Sequence, residues 1–148
     1  MSKVAIAYKG SFSSPLSLVE STIKNHKSMF LDYFEDIDFF FSTYNIGDTQ
    51  LKDLYESRLG KIEWGYIDGS FLTRSTWAAQ FEHHGNLARM ISNRETRYDL
   101  IVITRPDLRW LRSYNVVNID NSKFNIPIQH QSGNCDDNLF VFPQNYLD

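Results

Sequence analysis

The chain has 148 residues, 42% hydrophobic and 15% aromatic, with a net charge of −3. That is the length of one domain with a real core, and without a basic block it gives phosphate-driven nucleic-acid binding no support. The single cysteine, Cys135, excludes an internal disulfide framework and a multi-cysteine zinc site. No apolar run reaches membrane-spanning length, and the first residues turn polar too soon for a signal peptide. A cytoplasmic location is therefore expected.

Lys3 to Tyr8 is apolar almost from the start and predicts a first strand. It runs into Lys9-Gly10-Ser11-Phe12-Ser13-Ser14-Pro15, where Gly10 permits a tight turn and Ser14-Pro15 is an N-cap and first-turn pair. The helix that follows is expected to reach about Tyr33. Leu16, Val19, Ile23, His26 and Phe30 recur at spacings of three and four along one face. His26 on that stripe reads as a partly buried, satisfied histidine. Asp36 to Tyr44 has little alternation, which predicts a strand buried on both faces. Strand, helix and strand in this order make a right-handed unit with parallel strands. The residues from Thr43 to Asp48 should then share a rim with Gly10.

Asp48 can cap a short helix through Arg58, with Leu51, Leu54 and Tyr55 inward and Gly60 just past its end. Lys61 to Ile67 sets Ile62, Trp64 and Tyr66 against Lys61, Glu63 and Gly65, the pattern of a half-exposed strand at or near an edge. Asp68-Gly69-Ser70 is a turn. Thr73 or Ser75 caps a third helix to about Thr96, with Trp77, Phe81, His84, Ala88 and Ile91 as the expected buried stripe and Gln80, Glu82, His83, Asn86 and Arg89 off it. Leu100 to Thr104 is a β-branched run too short for a buried helix, so it predicts a strand buried on both faces. Arg105-Pro106-Asp107 stops it, because proline has no N–H for the ladder. Tyr114–Ile119 and Lys123–Ile128 are short β-like runs, residues 129–134 a loop, and Leu139 to Pro143 a late strand. Gln144 to Asp148 can start a helix.

At the carboxyl end of a buried strand, Arg105 and Asp107 stand where open α/β sheets bind ligands. Asp107 either faces a ligand or metal there, or opens a turn with Arg105 as its surface partner. A cation bridging a diphosphate needs only one or two protein carboxylates. Asp136 and Asp137 are a second acidic set, suited to act as a base or to begin a turn. The loop from Tyr8 to Ser13 can offer backbone N–H groups to a phosphate, although it has neither GxGxxG nor a phosphate-loop lysine. His83 and His84 point about 100° apart on a helix and cannot easily share a zinc ion. Nothing near Cys135 marks a nucleophile.

One stretch carries a resemblance: Tyr98-Asp99-Leu100-Ile101-Val102-Ile103-Thr104-Arg105-Pro106-Asp107-Leu108. It resembles the "YD…RPDL" strand of a compact family of GT-A-type nucleotide-sugar glycosyltransferases found in viruses, bacteria and protists. The opening strand with Ala7-Tyr8-Lys9-Gly10-Ser11, the second strand Asp36-Ile37-Asp38-Phe39-Phe40, and Asp136-Asp137-Asn138 before a late strand agree with it. The resemblance implies one three-layer α/β/α domain, GT-A-like and Rossmann-like, with a mostly parallel central sheet. It implies transfer of a sugar from a nucleoside diphosphate donor to a glycan or other hydroxyl acceptor, with Mn2+ or Mg2+ on the diphosphate. By position, Asp107 would hold the metal and Arg105 a phosphate. Tyr8, Gly10, Ser11 and Tyr44 would line the nucleotide, Gln80 would face the donor, and Asp137 or Asp136 would be the acceptor-side base. A DxD pair would need an acid at position 109, where this chain has Arg109. Similar enzymes continue past the acidic pair, so the chain reads as a truncated, minimal or inactive relative, or as a fragment. A non-catalytic nucleotide- or sugar-binding domain, or an interaction module with an aromatic surface, are the alternatives on the same fold.

Overall fold

The computed structural model describes residues 3–11, 16–30, 32–44, 49–73, 76–108, 119–126 and 139–148. In chain order the elements are β1 (Lys3–Lys9), α1 (Leu16–Phe30), β2 (Asp36–Tyr44), α2 (Thr49–Leu59), β3 (Ile62–Ile67), a short 3-10 turn (Gly69–Thr73), α3 (Thr76–Ser92), β4 (Leu100–Thr104), β5 (Leu139–Phe142) and a closing 3-10 turn (Gln144–Tyr146).

The five strands form one sheet in the order β3-β2-β1-β4-β5. β1 pairs in parallel with β2 and with β4, and β2 in parallel with β3. Only β5 runs antiparallel, along β4. The fold is therefore a mixed α/β sheet, mostly parallel, as the alternation of strands and helices predicts.

Side chains of successive strand residues point to opposite faces, and both faces are covered. On one face Val4, Ile6 and Tyr8 join Phe39, Phe41, Leu100 and Val102 under Val19, Ile23 and Phe30 of α1 and Leu51 and Tyr55 of α2. On the other, Ala5 and Ala7 join Phe40, Ile101 and Ile103 under Leu87, Met90 and Ile91 of α3. The result is three layers around a central β1. Gly60 ends α2 at φ +92°, a conformation that favours glycine, and its N–H donates to Glu56 O at 3.0 Å.

Two expectations are corrected on α3. Trp77 and Phe81 are 71% and 74% exposed, while Ala79, His83, Leu87, Met90 and Ile91 are buried. The buried face is turned by about a third of a turn from the expected stripe, with Ile91 common to both. The reason is polar. Buried Ser42 of β2 needs a hydrogen-bond partner, and His83, expected off the stripe, supplies it at 2.9 Å. The displaced residues Phe81 and Ala88 instead face an apolar hollow of about 480 Å³ walled by Ile103, Phe124 and Phe140.

β3 is an edge strand as expected, but Tyr66 is 42% exposed. Its ring is met by the ammonium of Lys52 on α2, 4.1 Å from the ring centre. In the run from Lys123 to Ile128 the described residues form only an isolated bridge, Asn125 with Val141, because Asn125 folds its amide back onto Asp120 O and Lys123 O. α1 stops at Phe30, short of Tyr33. Most of Tyr114–Ile119, the caps Ser14-Pro15, Asp48 and Ser75, and Asp136-Asp137 lie outside the described residues. Among the described residues, no helix is long and apolar enough to cross a membrane.

Candidate functional site

The strand order places the site. The chain steps outward from β1 to β2 to β3, then returns past β1 to β4. The switch point lies between β1 and β4, and open α/β sheets bind ligands in the crevice beyond the carboxyl ends of such a pair. Register brings those ends level: Tyr8 pairs with Thr104 on one side and with Phe41 on the other, and Lys9 pairs with Ser42. One lip of the crevice is Gly10-Ser11; the other is Arg105 to Leu108.

The two lips touch. Gly10 has φ +125°, where a β-carbon is strained, and its N–H donates to Ser42 O at 3.1 Å. A β-carbon on Gly10 would sit 3.8 Å from Pro106 Cδ. Pro106 is buried and Asp107 is exposed beyond it. Arg105 Nε donates to Asp107 Oδ1 at 2.9 Å and Nη2 to Oδ2 at 2.6 Å, a bidentate fork. Their side chains are 40% and 36% exposed, so the fork is open to a competing ligand. Asp107 thus has the arginine partner of the turn reading while remaining on the lip.

Beneath the lip on the α1 side lies His26, 2% exposed. Its Nε2 is 2.5 Å from Leu108 O and its Nδ1 is 3.2 Å from Tyr8 Oη. A carbonyl oxygen only accepts, so Nε2 carries the proton and Nδ1 accepts from the Tyr8 hydroxyl. The Tyr8 and His26 rings are stacked, with centroids 5.4 Å apart. Burial lowers the His26 pKa to about 4, opposed by the Leu108 carbonyl and the Asp107 carboxylate. Burial also pushes the Tyr8 phenol well above its usual value.

On the α3 side a second polar network sits under the rim. Lys9 ends β1 with only 1% exposure, and its Nζ donates to Gln80 Oε1 at 2.6 Å. Asn86 Nδ2 donates to Ser42 Oγ at 3.0 Å, which leaves the Ser42 hydroxyl to donate to His83 Nδ1. His83 Nε2 then carries the proton, buried, with no hydrogen-bond partner among the described residues. Such an orphan costs about 1–3 kcal/mol. The His83 pKa falls to about 4, first through burial, then through the Lys9 ammonium and His84. The Tyr44 ring meets His83 edge-on, 5.0 Å away.

Of the residues singled out in the sequence, Gly10, Ser11, Arg105 and Asp107 come together at the crevice. Tyr44 and Gln80 lie along its α3 side through His83 and Lys9. Tyr8 is 0% exposed, so it supports the rim from below instead of facing the crevice. Asp136 and Asp137 fall outside the described residues. Sequence reasoning missed Lys9, Ser42, His83 and Asn86. The available signal was a lysine and a serine inside otherwise apolar strands, where each needs a polar partner.

Among the described residues no group of three or more His, Cys, Asp or Glu is placed to hold a metal ion. Asp107 offers one carboxylate. That suits a hard cation taking its other ligands from a diphosphate and water, and does not suit one held by protein alone.

No protein-family model matches the chain, and no curated protein matches its sequence. A solved structure that does match is the mannosyltransferase PcManGT from Pyrobaculum calidifontis, in complex with GDP-Man and Mn2+. The TM-score is 0.59 at 12% identity, over 99% of this chain and 46% of that one. The chain therefore spans less than half the length of this neighbour. At that identity the likeness shows the fold alone: a mixed α/β, mostly parallel, Rossmann-like architecture shared with that neighbour.

Proposed function

We propose that the protein is a glycosyltransferase domain that binds a nucleoside diphosphate sugar and transfers the sugar to a hydroxyl acceptor. One observation carries this reading: the switch-point crevice between β1 and β4 is lined by a left-handed glycine turn on one lip and an exposed arginine–carboxylate fork on the other. The first can present the Ser11 N–H to a phosphate, the Gly10 N–H being taken by Ser42 O, and the second offers a guanidinium to it. The likeness in fold to a mannosyltransferase crystallised with GDP-Man and Mn2+ supports it.

In this reading Gly10, Ser11 and Arg105 bind the diphosphate, while Tyr44 and Gln80 lie toward the nucleoside and sugar. Asp137 or Asp136 takes the proton from the acceptor hydroxyl. The acceptor oxygen then bonds to the anomeric carbon as the bond to the diphosphate oxygen breaks, and the diphosphate leaves with the electron pair. Mn2+ or Mg2+, where bound, neutralises charge on that leaving group. Asp107 would be its protein ligand, freed when a phosphate draws Arg105 away.

A thermal-shift panel of UDP-, GDP-, CMP- and dTDP-sugars, each with and without Mn2+, tests the donor site. A ligand at about a hundred times its Kd stabilises by roughly 2.7 kcal/mol. A shift with one nucleotide class is the expected result, and no shift with any donor sinks the reading. A shift without release of nucleoside diphosphate in the presence of acceptors favours a binding domain over an enzyme.

A further inference from the structure

We propose that His26 is the positioning residue of the Arg105–Leu108 loop: its Nε2–H, aimed by the Tyr8 hydroxyl at Nδ1, holds Leu108 O and so sets where Asp107 stands on the lip. For its functional consequence the inference rests on the donor-site reading above.

The fork between Arg105 and Asp107 and the buried Pro106 act within the loop and at its first half; the backbone at its far end is met by His26. β4 ends at Thr104, Pro106 has no N–H, and among the described residues no backbone–backbone hydrogen bond reaches residues 106–108. The Leu108 carbonyl, one residue beyond Asp107, is met by His26 Nε2 at 2.5 Å. His26 is itself held on three sides. The Tyr8 ring stacks on it with centroids 5.4 Å apart, the Phe30 ring meets it edge-on at 6.2 Å, and the Tyr8 hydroxyl lies 3.2 Å from Nδ1. Tyr8 is fixed in turn by β1, between β2 and β4.

The position is otherwise suited to an apolar side chain. Val19, Ile23 and Phe30 on the same stripe of α1 are all buried. A polar group there costs free energy unless both its ring nitrogens are bonded, and here both are, one to the sheet and one to the loop. Packing alone does not call for an imidazole; reaching a carbonyl across the layer does. A displacement of about 1 Å at a reacting group can cost on the order of a hundredfold in rate, so a loop carrying one carboxylate needs such a tether.

The test compares His26→Leu, which fills the space without a donor, with His26→Gln, whose amide nitrogen can reach the place of Nε2. Backbone 15N order parameters are followed at Asp107 and Leu108, with β1 and β4 residues as the internal reference. In His26→Leu the values at the two loop residues are expected to fall from about 0.85 to about 0.6 or below, and in His26→Gln to recover most of the loss. Loop order parameters unchanged in His26→Leu, or no better in His26→Gln than in His26→Leu, overturn the proposal. Should His26→Leu fail to fold, Tyr8→Phe keeps the stack and removes the aiming hydroxyl, and is expected to loosen the same two amides.

A second arm measures Kd for GDP and UDP, each with Mn2+. The expected result is weakening of tenfold or more in His26→Leu with recovery in His26→Gln. Wild-type protein that binds neither nucleotide refutes the donor-site reading while leaving the order parameters to decide the tether. Nucleotide binding that ignores a loosened loop refutes the functional half of the inference alone.

Discussion

Lowering the pH from 7 to 5 should destabilise this protein by roughly 4 kcal/mol, and the two buried histidines supply the reason. His26 and His83 both have pKa values lowered from 6.5 to about 4 by burial. His26 faces Tyr8 from β1, Phe30 on its own helix, and Leu108 and Asp107 from the loop after β4. His83 faces Ser42 and Tyr44 from β2, Lys9 from β1, and His84 on its own helix. The folded values lie below the unfolded one, so between about pH 6.5 and 4 the unfolded chain holds more protons. Stability is present in full above the unfolded pKa and is lost as pH falls through this window. Each shifted pKa unit is worth about 1.36 kcal/mol. Integrating over pH 7 to 5 gives roughly 2 kcal/mol per histidine. Urea unfolding at pH 7, 6 and 5, at constant ionic strength, measures the loss. His83→Asn keeps an acceptor oxygen for the Ser42 hydroxyl and should remove about half of it. A total change below about 1 kcal/mol, or the same slope in His83→Asn, would refute the assignment of both imidazoles as buried and neutral.

Three further outcomes follow from single contacts. Gly65→Ala puts a β-carbon against Met90 Sδ and 2.6 Å from Asn86 Nδ2, and should cost about 1–3 kcal/mol in urea unfolding. Gln144→Leu leaves the buried Tyr98 N–H without the side-chain oxygen that accepts it at 2.5 Å, and should cost about 1–3 kcal/mol in the same assay. Asp107→Asn should abolish the Mn2+-dependent part of nucleotide affinity in titration calorimetry while leaving metal-free binding equal or tighter, because Arg105 is released from its fork.

Most of the fold was legible because hydrophobic runs are local. Lys3, Asp36 and Leu100 open strands where the apolar residues begin, and both-face burial of β2 and β4 follows from the lack of alternation in Phe39-Phe40-Phe41 and Ile101-Val102-Ile103. The face of α3 was not legible, because two stripes satisfy the same helical period and apolarity alone favours the one with Trp77 and Phe81. The choice between them rests on Ser42, forty-one residues away in sequence from the histidine it bonds. The crevice was legible in outline, since Gly10 and Arg105-Pro106-Asp107 punctuate strands that must end at one rim. Its support was not. That His26 reaches Leu108, eighty-two residues on, depends on the strand order, and no local pattern carries that order.

The support explains how the charge of the rim is organised. Both histidines beneath it are neutral, so each presents a fixed donor and acceptor and adds no charge of its own. The charge of the described rim then comes from Lys9, Arg105 and Asp107. Arg105 and Asp107 cancel within their fork, and the buried Lys9 gives its ammonium to Gln80 on the α3 side. This rim favours an anion over a bare cation, since a lone metal ion would meet a carboxylate already bridged twice by a guanidinium, whereas an anion meets a guanidinium it can draw away. On the proposed function, nucleotide and metal therefore arrive together or nucleotide first. In titrations, Mn2+ without nucleotide should give no saturable heat in the range where Mn2+ with nucleotide does. Tight Mn2+ binding to the free protein, lost in Asp107→Asn, would show instead that the fork opens for a cation alone.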